Sequence, residues 1–229
     1  MTHLRLAALA AVFISTPALS DGGSGNSFFQ APAAYGGIGA ANTSLDDDGY
    51  YRDIFSDLGA GQPGTDDEDT GAHVFGGFRF NQYLAVELGT RDLGDYKATS
   101  ATASYKQDFA ALTISAVGFL PVGKHISLYG QAGLGSIGVR EKLTVNNFTA
   151  KNDDAAGTAT LGAGIELRPM GKDGVALRLG WQSYFFSVRY DRYLVVGAPG
   201  SAQVVIRDKN DYDQRIDTYG LDLAYYFTL

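Results

Sequence analysis

The chain has 229 residues, no cysteine and a formal net charge of −7. A chain of this size fits one large β domain as readily as two small domains, and we expect one. The 18 Lys and Arg residues are scattered, so the basic patch of a nucleic-acid-binding protein is missing. Without cysteines, an exported fold depends on hydrogen bonds and packing rather than on disulfides. Abundant glycines and aromatic residues favour short strands in close contact over helices.

Residues 1–20 have the features of a secretory signal peptide. Arg5 precedes the apolar run Leu6–Ile14, and small residues, Ala18 and Ser20, stand before a plausible cleavage site. The apolar run is much shorter than the roughly 20 residues that a membrane-spanning helix needs. Residues 21–33 form a Gly/Ser-rich lead that we expect to be flexible. The folded domain is therefore expected over residues 34–229.

Eight segments with alternating apolar and small or polar residues follow. They are Tyr35–Leu45, Gly71–Phe80, Leu84–Leu93, Tyr105–Leu120, Ile126–Arg140, Thr158–Arg168, Val175–Val188 and Arg215–Leu229. Short turns at 81–83, 121–125 and 169–174 alternate strictly with long polar connections at 46–70, 94–104, 141–157 and 190–214. Outer-membrane barrels have short periplasmic turns and long external loops, whereas a soluble sandwich has no reason to sort its connections. We therefore predict an all-β fold, an eight-stranded antiparallel up-and-down transmembrane β-barrel with both termini in the periplasm.

The alternation also assigns side chains to the two faces of the predicted barrel wall. In the seventh segment Leu177 and Leu179 share one face, while Arg178 and Gly180 share the other. An arginine on the lipid face near the bilayer midplane would cost about 2–4 kcal/mol, so charged strand residues belong inside, where they must be paired. The predicted lumen charge network is Arg79, Glu87, Glu166, Arg178 and Asp222. Asp222 is expected to pair with Arg178 or Arg79.

The fourth segment does not show the same division into an apolar and a polar face. Leu112 and Ile114 lie opposite Val117 and Phe119, so both faces are largely apolar. A β-bulge would switch the side chains from one face to the other. The register of this segment is left open by the sequence.

Several stretches, in order, resemble the eight-stranded outer-membrane barrels of the OmpA type. Gly76–Gly94 (GGFRFNQYLAVELGTRDLG) resembles their second hairpin, Ala176–Gln182 (ALRLGWQ) their seventh strand and Leu221–Leu229 (LDLAYYFTL) their eighth. The resemblance implies an outer-membrane barrel of the porin family in a Gram-negative bacterium, without the periplasmic peptidoglycan-binding domain of larger members. It places the family's interior gate charges at Glu87, Glu166 and Arg178. The family's interior lysine falls at Ala116, with Arg79 as a substitute cation.

The first long connection is acidic. Its two carboxylate clusters consist of Asp46, Asp47, Asp48, Asp66, Asp67, Glu68 and Asp69. A helix-loop-helix calcium site would require a glutamate where Phe55 stands, so that motif fails. Weak divalent-cation binding at the cell surface is one hypothesis, and a solvated, mutually repelling loop is the other. We expect no resident metal and no cofactor.

Other short motifs have structural explanations. Residues 118–124 have the spacing of a phosphate-binding loop, but His125 stands where a magnesium-binding Ser or Thr is required. Residues 133–138 match a dinucleotide fingerprint inside a predicted strand, where glycines make room in a lumen. Only His73 and His125 remain after signal removal, and no serine motif accompanies them, so we expect no enzyme. A loop or interfacial position is the simpler explanation for His73.

The sequence therefore favours a structural, surface-exposed barrel with a charge-plugged lumen and at most a small gated conductance. A small diffusion porin is the main alternative, followed by an outer-membrane lipid-modifying enzyme or a soluble lipocalin-like binder. Expected partners are outer-membrane lipid and lipopolysaccharide, the barrel-assembly machinery and an extracellular ligand bound through the long loops. The final alternating residues, Tyr225, Phe227 and Leu229, resemble an assembly signal.

Overall fold

A computed structural model describes residues 32–146, 148–168, 174–196 and 203–228. The predicted signal peptide (1–20), nearly all of the predicted lead (21–33) and Leu229 lie outside these ranges. The turn predicted at 169–174 also falls outside them, apart from Gly174. No helix in the described ranges is both long enough and apolar enough to cross a membrane.

The described chain forms nine strands and one short helix. They are β1 (Ala33–Asp46), α1 (Tyr50–Asp57), β2 (Gly64–Asp66), β3 (Glu68–Arg79), β4 (Leu84–Thr99), β5 (Ala103–Pro121), β6 (Ile126–Val145), β7 (Phe148–Leu167), β8 (Gly174–Val196) and β9 (Gln203–Thr228). Eight strands close a ring in the order β4-β3-β1-β9-β8-β7-β6-β5, with β5 paired to β4. The three-residue β2 pairs only with the end of β4. The predicted eight-stranded antiparallel barrel is confirmed.

The first and last strands close the ring. Ile38 of β1 is paired with Val74 of β3 on one side and with Leu223 of β9 on the other. Every backbone hydrogen-bonding group in the closed zone can therefore find a partner in a neighbouring strand. This closure satisfies the backbone in lipid, where no water is available to replace a missing bond.

Over the apolar band of the wall, the outer face carries large apolar residues and the inner face carries mostly small, polar and charged residues. Leu88 and Leu179 are more than half exposed, while their neighbours Glu87 and Arg178 are buried. β5 follows the same alternation without interruption, and its Ala116 faces outward, so the implied interior position of Ala116 is wrong. Register shifts lie instead on β4, between Asp92 and Gly94, and on β8, between Asp191 and Tyr193.

Much of the predicted long connections is strand. β4 continues to Thr99 and β5 begins at Ala103, so only a short turn separates them. The connections predicted at 141–157 and 190–214 are likewise mostly continuations of β6 to β9. Tyr96 and Tyr105 still point inward, because the alternation continues beyond the apolar band. We call this extended end of the barrel the tall end, and the end with both described termini and the turns that follow β3 and β5 the turn end.

Candidate functional site

The lumen contains three layers of side chains, and the layer nearest the turn end is ionic. We call Arg79, Glu87, Glu166, Arg168 and Arg178 the charge cluster. The carboxylate of Glu166 accepts hydrogen bonds from Arg79 Nη1 at 3.1 Å and Arg168 Nε at 2.7 Å. Arg178 donates from Nε to Glu166 at 2.9 Å and from Nη1 to Glu87 at 2.6 Å. Each of the three guanidiniums contacts a carboxylate, which offsets the cost of removing these charges from water.

Aromatic side chains hold the charge cluster in place. Tyr226 donates its hydroxyl proton to Glu166 at 2.7 Å, and Tyr35 donates to Glu87 at 3.0 Å. The two tyrosine rings stack with their centroids 4.8 Å apart. Arg79 lies 3.7 Å above the ring of Phe119, a cation–π contact that gains strength when it is shielded from water. These contacts fix the positions of the ionic groups across the whole width of the lumen.

Asp222 lies in the lumen but outside the charge cluster. It is paired in the backbone register with Arg178, yet the guanidinium of Arg178 binds the two glutamates. The Oδ1 atom of Asp222 is 3.2 Å from Nδ1 of His73. The predicted pairing of Asp222 with Arg178 or Arg79 is wrong, because Arg178 reaches across the lumen to Glu87 and Arg79 reaches Glu166 at the turn end.

The middle layer is polar and centres on His73, which is buried in the lumen and not in a loop or at the membrane interface. Arg91 places Nη2 2.9 Å from Nδ1 of His73 and donates from Nη1 to Thr218 at 3.1 Å. These side chains, with Asp222 and Gln131, line a cavity of about 10 Å³. That volume is about the space that one water molecule needs. The middle layer can therefore hold a water without forming a wide passage.

The third layer, toward the tall end, is a hydrophobic plug formed around α1. Tyr50, Tyr51, Ile54 and Phe55 of this helix are each at most 2% exposed. They pack against inward-facing wall residues, including Leu45, Leu93, Tyr96, Tyr105, Phe109, Ile137, Tyr184, Phe186 and Ile216. Burial raises the pKa of the Tyr51 hydroxyl well above its usual range. We call α1 the plug helix.

Polar contacts fix the plug helix to the wall and to its own connection. Tyr50 donates to Glu141 of β6 at 3.1 Å, and Tyr212 of β9 donates to Asp53 at 2.9 Å. At the start of the helix, Asp47 accepts from the backbone N–H of Gly49 at 3.2 Å and of Tyr51 at 2.9 Å. Such bonds satisfy amides that have no partner within the helix.

The predicted acidic loop therefore has structural roles rather than one joined carboxylate site. Asp47 caps the plug helix, Asp69 accepts from the N–H of Asp95 at 2.6 Å, and Asp46 lies 3.5 Å from Arg215. Asp66 lies in β2 and is exposed. Among the described residues, no group of three or more acidic or histidine side chains is arranged to hold a metal ion.

Three parts of the lumen were not predicted from the sequence. The plug helix was missed, although Tyr50, Tyr51, Ile54 and Phe55 have the spacing of one helical face. Arg168 was missed, although it follows Glu166 by two residues and shares its inward direction. His73 and Arg91 are directly paired in the β3–β4 hairpin, but Asp222 lies 149 residues after His73 on β9, so no local pattern indicated that contact.

A family comparison agrees with this architecture. The model of the OmpA-like transmembrane domain matches residues 30–228. The chain belongs to this family. It is an outer-membrane β-barrel, and the soluble lipocalin-like alternative is thereby excluded. Comparison with curated proteins gives no match.

Two solved structures are similar to this chain. Neisserial surface protein A aligns with a TM-score of 0.50 at 13% identity, covering 85% of this chain and 99% of that protein. Ail, the attachment invasion locus protein of Yersinia pestis, aligns with a TM-score of 0.48 at 15% identity, covering 86% of this chain and 99% of Ail. At these identities the likeness concerns the fold alone.

Proposed function

We propose that this protein is a closed outer-membrane barrel with a structural and surface-interaction role, rather than a diffusion pore. The observation that carries this proposal is the plug helix, whose buried side chains fill the lumen at the tall end. The charge cluster fills the lumen at a second level, near the turn end. An eight-stranded barrel is only wide enough for side chains to fill it. Two seals in series leave at most a small, gated conductance.

We propose that the turn end faces the periplasm and the tall end faces outward. Both described termini lie at the turn end, and the strands extend beyond the apolar band at the tall end, as the external segments of bacterial outer-membrane barrels do. The apolar outer face would contact membrane lipid, and the wall beyond it would meet lipopolysaccharide. Tyr225 and Phe227 are exposed on the outer face of β9, where the barrel-assembly machinery could reach them, while Leu229 lies outside the described residues.

We propose further that the barrel is not an enzyme. Catalytic hydrolysis would require a nucleophile beside a base and an open space for substrate. His73 instead contacts Asp222 and Arg91 in a cavity of about 10 Å³, and the described residues that line this cavity include no serine. A lipid-modifying activity on the purified protein that disappears in His73→Ala would contradict this proposal.

Liposome swelling tests the closed lumen. The purified barrel is reconstituted into liposomes, which are then diluted into isotonic arabinose, with protein-free liposomes and a general porin as the two references. We expect swelling at the protein-free rate, because both seals exclude a sugar. Swelling that depends on protein and falls with the size of the sugar would identify a diffusion pore and contradict the proposal.

A further inference from the structure

A row of four lysines crosses the outer face of the barrel at the tall end. Lys97 of β4 is paired with Lys106 of β5, Lys106 with Lys142 of β6, and Lys142 with Lys151 of β7. Neighbouring strands lie about 4.8 Å apart, so the four side chains start from a line about 14 Å long. We call these residues the lysine row.

The lysine row is unfavourable for the isolated barrel. Like charges directly opposite each other destabilise a strand pair, and this row contains three such pairs. Lys106 is relieved by Asp95 at 2.5 Å and Asp108 at 4.0 Å. Within the described part of the chain, no ion pair is found for Lys97, Lys142 or Lys151. A chain with a net charge of −7 thus carries, among its described residues, three exposed lysines without an ion pair on one surface, although Asp66 of β2 lies opposite Lys97 in the register.

Hydroxyl groups border the lysine row on the side farther from the membrane. The next outward-facing residues on the same four strands are also paired in register, and all carry hydroxyls: Thr99, Ser104, Thr144 and Thr149. Thr144 and Thr149 are within hydrogen-bond distance, 3.2 Å apart. Hydroxyls both donate and accept hydrogen bonds, so they suit the hydroxyls of a sugar. The surface thus combines cations for acidic groups with partners for a carbohydrate.

Three carboxylates and one guanidinium border the lysine row on the membrane side. The outward-facing residues there are Asp95, Asp108, Arg140 and Asp153, again in register. The nearest large apolar residue on the lipid face of β5 is Leu112. It is six residues from Lys106, a distance of about 20 Å along the strand. An anionic lipid headgroup at the bilayer surface would meet three carboxylates and one cation, Arg140, before it met the lysines. The arrangement favours a ligand that approaches from outside the cell.

We propose that the lysine row and the adjacent hydroxyl row bind a linear anionic polysaccharide, carrying sulfate or carboxylate groups, laid across β4 to β7. The ammonium groups would bind its acidic groups, and the hydroxyls would bind its sugar rings. The four strands are paired without a gap, and a continuous row of this length suits an extended chain rather than a compact ion. This site rests on the proposed function only in requiring that the tall end faces outward.

Calorimetric titration of the folded, detergent-solubilised full chain with a heparin octasaccharide tests the site. The test variant is Lys142→Gln with Lys151→Gln, and the matched control is Lys124→Gln, which removes an exposed lysine at the turn end. Because each exposed ion pair strengthens binding only severalfold, we expect the double variant to lose about tenfold in affinity. The control should bind as the unchanged protein does, and added salt should weaken binding in all of them. A neutral dextran of equal length should give no binding heat.

The proposal is overturned if the unchanged protein does not bind heparin, or if the double variant binds it equally well. It is also overturned if heparin does not bind but lipid A micelles do, and if that binding depends on Lys142 and Lys151. The ligand would then be a membrane glycolipid. The heat-dependent shift in gel mobility of each variant verifies that it is folded. If the protein binds heparin but the liposomes swell in sugar, only the closed lumen is refuted. If the liposomes do not swell and heparin does not bind, only this site is refuted.

Discussion

Glu166 and Arg178 are partners in both backbone and side chain. Their positions are directly paired across β7 and β8, and Arg178 Nε donates to Glu166 Oε2 at 2.9 Å. Because Arg79 and Arg168 also bind this carboxylate, one buried anion holds three cations together. Removing its charge would leave three guanidiniums with only Glu87 to balance them.

We expect Glu166→Gln to lower the free energy of unfolding by about 3–5 kcal/mol, the usual cost of breaking a buried ion pair by removing one partner. Glutamine keeps the size of the side chain, so the loss would come from charge. Urea unfolding in lipid vesicles, followed by the fluorescence of Trp181, the sole tryptophan, measures it. Asp153→Asn, an exposed carboxylate, is the control and should change stability little. Equal stability of the two variants would show that the charge cluster is not needed for the fold.

The plug helix should become accessible when its buried side chains are shortened. Tyr51→Ser with Phe55→Ser removes two aromatic rings from the hydrophobic plug, and each loss of this kind costs about 3–5 kcal/mol of packing. We expect trypsin to cleave after Arg52 much faster in this variant, because the helix leaves the lumen more often. Ser56→Ala, an exposed position on the same helix, is the control. Equal cleavage rates in both variants would mean that burial of α1 does not protect it.

Closure between β1 and β9 can be tested by a disulfide, since the chain has no cysteine. Ala40 and Leu221 are paired across these strands and both face outward. Directly opposed residues lie within the range that a disulfide spans, so Ala40→Cys with Leu221→Cys should form a bond on mild oxidation. Ala40→Cys with Leu179→Cys, one strand further around the ring, should not. Equal cross-linking of both pairs would contradict the register.

Trp181 reports on the lipid face near the tall end. It points outward and its Nε1 lies 3.2 Å from Asp217, a polar contact typical of the membrane interface. In brominated lipids we expect stronger quenching by bromines close to the headgroup than by bromines near the chain ends. Moving the tryptophan to position 179 in a Trp181→Phe background should reverse that order. Failure of either lipid to quench Trp181 would place it away from the membrane.

The strands could be predicted because each follows one local rule. Alternation decided which residues face outward, and Leu177, Arg178 and Leu179 lie where that rule places them. The same rule was applied over too few residues, since Tyr96, Ala98 and Ala103 continue it through a stretch that was predicted to be a loop. Residues there are polar because the barrel wall extends beyond the membrane, not because the strands stop pairing.

The contents of the lumen could be predicted only in part. Alternation predicted that Glu166 and Arg178 lie inside, but it could not predict the partner of Asp222. That partner depends on which strands lie opposite each other across the lumen. The plug helix was not predicted, because the carboxylates around it give the whole connection the polarity of a loop, despite the apolar spacing of Tyr50, Ile54 and Phe55. A helix of eight residues is marginal alone, so it depends on packing that a local pattern does not display.

Single-channel recording in planar bilayers tests the closed lumen most directly. The purified protein and the Tyr51→Ser/Phe55→Ser variant are inserted under the same voltage and salt. We expect no long-lived open level in either, because the charge cluster still fills the lumen when the plug helix is loosened, and at most brief openings in the variant. A steady conductance of the unchanged protein, present in every insertion, would contradict the account.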